Sequence, residues 1–321
     1  MNNILVQSTN NAIATVNIED RYTNTLSPET KRAYTQAIQE FFGKQLSEIT
    51  VIDMQSVTPD HANHYALGLE RKGLTHATIN RKLAALHSFY QFLCRRTVAI
   101  MNYNPFSTDE GSIRFKNAQK DYSDKKALTP EEVKSVFEAA RQDTSITGVR
   151  DLLILELLAT TGMRRAEICD IKIGDIQDTA GKYIAEIKGK GNKSRIIVFS
   201  KGVTKVLKQY MEMREITLAN KDEYLLVSHA NRKSVSGKVS TNMIYRVVKR
   251  YCGLAGIDES LVSPHCLRHG YATNCIEMGM NITDVKDLMG HSSIHTTARY
   301  VKSYNLINKN PANKLDELYE C

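Results

Sequence analysis

The sequence predicts a mainly α-helical chain in two parts: a small N-terminal helical domain, then a larger α+β domain with a small antiparallel β-sheet or hairpin. Three observations predict it. Helix starts recur as Ser or Thr followed by Pro, apolar residues repeat at intervals of 3 and 4, and two strand-length runs flank one Gly/Lys-rich turn. At 321 residues the chain has room for two domains of about 150 residues each.

Residues 1–15 carry no clear periodicity and read as a flexible lead. Residues 16–106 read as a helical bundle. Ser27 and Pro28 open its first clear helix, with Ala33, Ala37, Ile38, Phe41 and Phe42 as the apolar stripe. Thr58-Pro59-Asp60 opens the next, which stops at Gly73. Thr75 opens a third, whose Ile79, Leu83, Leu86, Tyr90 and Leu93 make one buried face, with Arg81, Lys82 and His87 off it. Residues 107–127 are polar and poor in periodic apolar positions, and read as a linker. Thr129-Pro130-Glu131-Glu132 is a capping box that starts the second domain, 128–305. There, 149–162 is a strongly apolar helix, 183–199 a β-hairpin around GKGNKS, and the remainder mainly helical. Residues 306–321 form a tail with Leu315, Leu318 and Tyr319 on one helical face.

Charge narrows the function classes. Lys and Arg total 43 against 35 Asp and Glu, a net +8, with a pI near 9.0. Both parts share the excess, 15 against 12 up to residue 126 and 28 against 23 beyond it, so no single tail causes it. A basic chain favours an anionic partner, nucleic acid above all. No apolar run reaches the ~18 residues of a membrane span, and the N-terminus lacks a signal-peptide pattern. A cytoplasmic protein is expected, with its six cysteines as free thiols.

Four stretches concentrate polar residues beside apolar helices: TTGMRRAE with Arg164 and Arg165, KGKGNKSR with Lys188, Lys190, Lys193 and Arg195, SPHCLRHG with His265, Arg268 and His269, and GHSSIHTTARY with His291, His295, Arg299 and Tyr300. Arg, Lys, His and Tyr without clustered carboxylates suit an anion, and guanidinium forks fit phosphate oxygens. A zinc reading of HCLRH fails for want of the HExxH glutamate and because Arg268 would set a cation beside the metal, so no metal site is read. The hairpin turn lacks the GxxxxGK[ST] of a nucleotide-binding loop.

In this order the stretches resemble the tyrosine recombinase (phage integrase) family: TGMR with Arg164, GKGNK with Lys190, HCLRH with His265 and Arg268, GHSS with His291, then Tyr300. SPETKRAYTQAIQEFF and THATINRKLAALHSFYQFL are similar to its SAM-like core-binding domain. Met163 stands for the family's usual Leu, and Arg165 and Ala166 for a small β-branched residue and Ser. The resemblance implies a site-specific DNA recombinase of the simple two-domain Xer-like or mobile-element type. Tyr300 would attack the scissile phosphate and form a 3′-phosphotyrosyl bond. Arg164, Arg268, His265 and His291 would bind its oxygens or assist proton transfer, and Lys190 would protonate the leaving 5′-oxygen. Glu167 would orient Arg164, with His269 behind the site.

One phosphoester replaces another, so no ATP or other cofactor is implied, and the site's own cations leave no metal implied. Double-stranded DNA is the implied partner, contacted in part by Lys31, Arg32, Arg81, Lys82, Lys188 and Lys193. The resemblance further implies a dimer on each site, a tetrameric synapse and a tail docked on a neighbouring protomer; an accessory protein is unspecified. About 25 residues precede the first clear bundle helix, so no separate arm-binding domain is expected. Two alternatives stay open on the residues alone: a type IB topoisomerase that reseals the same strand, and a non-catalytic architectural DNA-binding protein.

Overall fold

The computed structural model describes residues 20–115, 127–189, 194–229, 237–291, 293, 294, 297 and 298. The chain forms two compact units, Met1–Lys120 and Asp121–Cys321. No helix among the described residues is long and apolar enough to cross a membrane. Cys94, Cys169, Cys252, Cys266 and Cys275 are free thiols; Cys321 lies outside the described residues.

After a helical turn at residues 20–23, the first unit contains α1 (Pro28–Phe42), α2 (Val51–Gln55), α3 (Pro59–Arg71) and α4 (His76–Leu93). Thr58 and Thr75 cap α3 and α4 through their hydroxyls. Ser27 occupies the cap position of α1 but shares its hydrogen bond with the Thr30 hydroxyl rather than the helix backbone. The α4 stripe Ile79, Leu83, Leu86, Tyr90 and Leu93 is fully buried, and Tyr90 closes its polar end by donating to the Met54 carbonyl at 3.0 Å.

The expected linker begins inside this unit. Asn63 donates to Gly111 O (3.1 Å) and accepts from Ile113 N (2.7 Å), and Asn80 makes the same two-way contact with Phe115 (2.7 and 3.2 Å). Phe115 also stacks on His76, with ring centroids 4.8 Å apart. A polar composition hid these anchors, because two asparagine amides supply what a neighbouring strand would.

The second unit is built round α6 (Ile146–Thr161), buried on nearly every side and packed against α5 (Pro130–Arg141), α8 (Lys201–Met213) and α10 (Pro264–Glu277). Thr129 and Glu132 form the expected capping box on α5. A short α7 (Arg165–Asp170) leads to a three-stranded antiparallel sheet, β1 (Ile176–Thr179), β2 (Lys182–Lys188) and β3 (Ser194–Val198), in that order. The hairpin expected at 183–199 is its β2–β3 pair, with Ile187 opposite Arg195. The additional strand β1 has a single buried residue, Ile176, so its sequence carries no alternation to read. Helices α9 (Thr241–Leu254) and α11 (Ile282–Met289) also belong to this unit.

Replacing Asn63 by Ala is expected to cost about 1–2 kcal/mol and to speed tryptic cleavage after Arg114. Denaturant titration and limited proteolysis check this.

Candidate active site

Arg164, Arg268 and His291 meet at the C-terminal end of α11. A helix leaves its last four carbonyls without helical partners. Gly290, in the left-handed conformation (φ 62°), lets the chain turn so that His291 N reaches Lys286 O and Gly290 N reaches Asp287 O, both at 3.0 Å. The next carbonyls are taken by guanidiniums from three elements. Arg195 Nε donates to Leu288 O (2.9 Å), Arg268 Nη2 to Met289 O (2.8 Å) and Arg164 Nη2 to Gly290 O (2.8 Å). The negative end of a helix dipole favours such cations.

Arg164 follows a second left-handed glycine, Gly162 (φ 61°), which ends α6. Gly162 O accepts from Arg268 Nη1, so Arg268 joins the ends of α6 and α11. A Cβ at residue 162 would lie 2.4 Å from the Tyr271 ring, so this turn tolerates no side chain. The neighbouring Arg165 is exposed on α7, outside this network.

Glu167 underlies the cluster. Its Oε1 accepts from Arg164 Nη1 (2.8 Å) and Arg195 Nη1 (3.1 Å), and its Oε2 from Arg164 N (2.8 Å) and Arg195 Nη2 (2.7 Å). Burial by itself would raise the Glu167 carboxyl; the Arg195 and Arg164 hydrogen bonds, with the guanidinium charges, outweigh it and hold it below its ordinary range.

His291 is buried, and its Nδ1 shares a 2.8 Å hydrogen bond with the Thr297 hydroxyl. Burial first, then the charges of Arg268, Arg164, His265 and Arg195, push its imidazole down to about 4. It is therefore neutral at pH 7. His265 stands exposed on the first turn of α10, and His269, one turn on, is half-buried and lowered by burial and then by His265.

Arg164, Arg268, His291 and Glu167 are thus brought together, with His265 close enough to be felt electrostatically at His291. Lys188 is exposed at the end of β2; Lys190, Lys193, His295, Arg299 and Tyr300 lie outside the described residues. On the first unit Lys31, Arg32 and Arg81 are exposed, whereas Lys82 is paired with Glu40 and its side chain is 15% exposed. Arg195, in the sequence one more cation of the hairpin, proves to be a partner of Glu167, and Thr297 had no signal beyond its distance from His291. Arg195 had one: on β3 it shares the inward face with buried Ile197, a place where a cation needs a carboxylate.

The chain is thus a helical unit followed by a mostly helical unit with a small antiparallel sheet, with a cluster of arginines and a histidine at two helix ends whose charge suits an anion. The chain belongs to the phage integrase family. Residues 126–306 match the Phage integrase family model, and residues 21–97 match the family's N-terminal SAM-like domain. It is 30% identical over 280 residues to the tyrosine recombinase XerC of Staphylococcus carnosus, covering 87% of this chain and 88% of that one. It is 30% identical over 278 residues to the tyrosine recombinase XerA of Thermococcus kodakarensis, covering 86% and 85%. The fold is similar to that of the Tn1549 transposon integrase in complex with transposon right-end DNA, with TM-score 0.64, 20% identity, and 97% and 99% of the two chains covered. It is also similar to XerH bound to its difH substrate, with TM-score 0.62, 22% identity, and 84% and 76% covered.

Two outcomes follow from this geometry. Glu167→Gln leaves two guanidiniums short of a counter-charge and should cost about 3 kcal/mol in a denaturant titration. An NMR titration of the His291 imidazole, assigned by its loss in His291→Gln, should show a midpoint near 4. That midpoint should rise in Arg164→Ala, because a repelling charge is gone. The sign for stability follows: the imidazole's folded value lies below its ordinary 6.5, so its contribution is complete above pH 6.5 and is lost as pH falls toward 4.

Proposed function

We propose that the chain is a site-specific DNA recombinase, a DNA strand transferase that cleaves and rejoins duplex DNA through a 3′-phosphotyrosyl intermediate. The observation that carries this reading is the convergence of Arg164, Arg268 and His291 on one helix end, a few residues before Tyr300 in the chain. Two guanidiniums and a neutral imidazole held before substrate arrives suit the charge that builds on the non-bridging oxygens of a phosphoryl transition state.

Tyr300 is the nucleophile in this reading. Its oxygen bonds to phosphorus, the bond to the 5′-oxygen breaks, and Lys190 gives that oxygen its proton. Arg164 and Arg268 bind the non-bridging oxygens, and His265 and His291 bind them or assist proton transfer. The 5′-hydroxyl of the partner strand then attacks the phosphotyrosine and releases Tyr300. The number of phosphoester bonds is unchanged, so the exchange needs no external energy source.

Duplex DNA is the substrate in this reading. Both fold neighbours described above were captured with DNA, and the net charge of +8 favours a polyanion. Lys31, Arg32, Arg81, Lys188 and Lys193 are the proposed phosphate contacts, with Lys82 shared between DNA and Glu40. Residues 16–106 form the core-binding domain, 128–305 the catalytic domain, and 306–321 a tail that docks on a neighbouring protomer. The protein works as a dimer on each site and a tetramer in synapse, in the cytoplasm, in resolution, integration or excision of DNA.

The test is covalent trapping. The protein is incubated with nicked duplexes tiling the DNA that flanks its gene, denatured in SDS, and examined for a protein–DNA adduct. An adduct is expected, and Tyr300→Phe should abolish it; an adduct that survives the substitution overturns the assignment. Joining of strands from two different duplexes separates recombination from resealing of one strand.

A further inference from the structure

We infer that Arg195 is a positioning residue for this reaction, tying the β2–β3 hairpin to the arginines that hold the phosphate. The inference rests on the recombinase reading above. Its basis is the number and direction of the bonds Arg195 makes. Its guanidinium spans both oxygens of Glu167 and the Leu288 carbonyl, so all three nitrogens are engaged by groups on two other elements, α7 and α11. Its side chain is 12% exposed, against 39% for Arg164, so Arg195 faces the protein while Arg164 is open to a ligand.

The partners matter as much as the count. Glu167 is the carboxylate that grips Arg164 by backbone and side chain, and Leu288 O precedes the two carbonyls held by Arg268 and Arg164. Removing Arg195 therefore leaves Glu167 with half its hydrogen bonds and α11 with one carbonyl uncovered. It also cuts the link from β3 to that helix end. Residue 195 lies opposite Ile187 in the hairpin, next to Lys188 and a few residues from Lys190. The strand that returns from the proposed general acid is thus anchored to the carboxylate that orients the first arginine. The fit is tight: a Cβ on residue 290 would stand 2.8 Å from Arg195 Nη1. Lysine cannot take the place, because one ammonium carries the charge but not the planar fork.

The experiment compares wild type, Arg195→Ala, Arg195→Lys and Arg164→Ala on the nicked duplex that gives the adduct. It reads equilibrium DNA affinity, the single-turnover rate of adduct formation at saturating DNA, and the melting temperature. For Arg195→Ala we expect a rate about 100-fold lower with affinity within about 3-fold of wild type, the split a positioning role requires. Arg195→Lys should recover only part of the rate. It also carries the test if the alanine variant fails to fold. A normal rate in either folded variant, full rescue by lysine, or an affinity loss as large as the rate loss each overturns the inference. Arg164→Ala is the control for the underlying reading: if it too cleaves normally, the active-site assignment fails, whereas its failure beside a normal Arg195→Ala condemns only the role of Arg195.

Discussion

Glu167 holds Arg164 on one side and Arg195 on the other, and the rest of the site depends on that buried carboxylate. A carboxylate taken out of water is costly unless its lone pairs are filled. Here four hydrogen bonds fill them, three from guanidiniums and one from the Arg164 backbone. The same bonds restrain the long Arg164 side chain, whose ordering a substrate would otherwise have to bring about. A charged group that binds phosphate is most effective when its position is fixed beforehand.

The second support is the C-terminal end of α11. Arginines normally compete for water or for one another's counter-ions; here they are spaced along successive carbonyls. Each guanidinium is held by the protein through two or three of its nitrogens, which sets its direction. The mutual repulsion of these cations is offset by Glu167 and by the helix dipole. It still registers at His291, whose imidazole is kept neutral beside them. Two glycine-ended helices make this approach feasible, since the left-handed turns at Gly162 and Gly290 carry no side chain of their own and leave both helix ends within reach of the Arg268 guanidinium.

Much of this was legible in the sequence. The α4 stripe, the Thr caps of α3, α4 and α5 and the pairing of β2 with β3 all follow from spacing and end signals. Arg164, Arg268, His265 and His291 were legible as a set because their order resembles a known family. What sequence reading missed has a common physical cause: it depends on partners distant in the chain. The 107–115 segment looked like linker because its order comes from Asn63 and Asn80, whole helices away. Lys82 looked like an open cation because Glu40 lies on another helix. Arg195 looked like one hairpin cation among several because Glu167 and Leu288 are not its sequence neighbours.

The central claim is that the arginine cluster is assembled before any ligand binds. Arginine-selective NMR of the DNA-free protein tests it most directly, by following the Nε–H signals of Arg164, Arg195 and Arg268, each assigned by substitution. Slow guanidinium rotation and protection from exchange for Arg195 and Arg268, with Arg164 restrained through Glu167, is the result this account predicts. Free rotation and exchange at the rates of exposed arginines, with order appearing only on adding DNA, would contradict it.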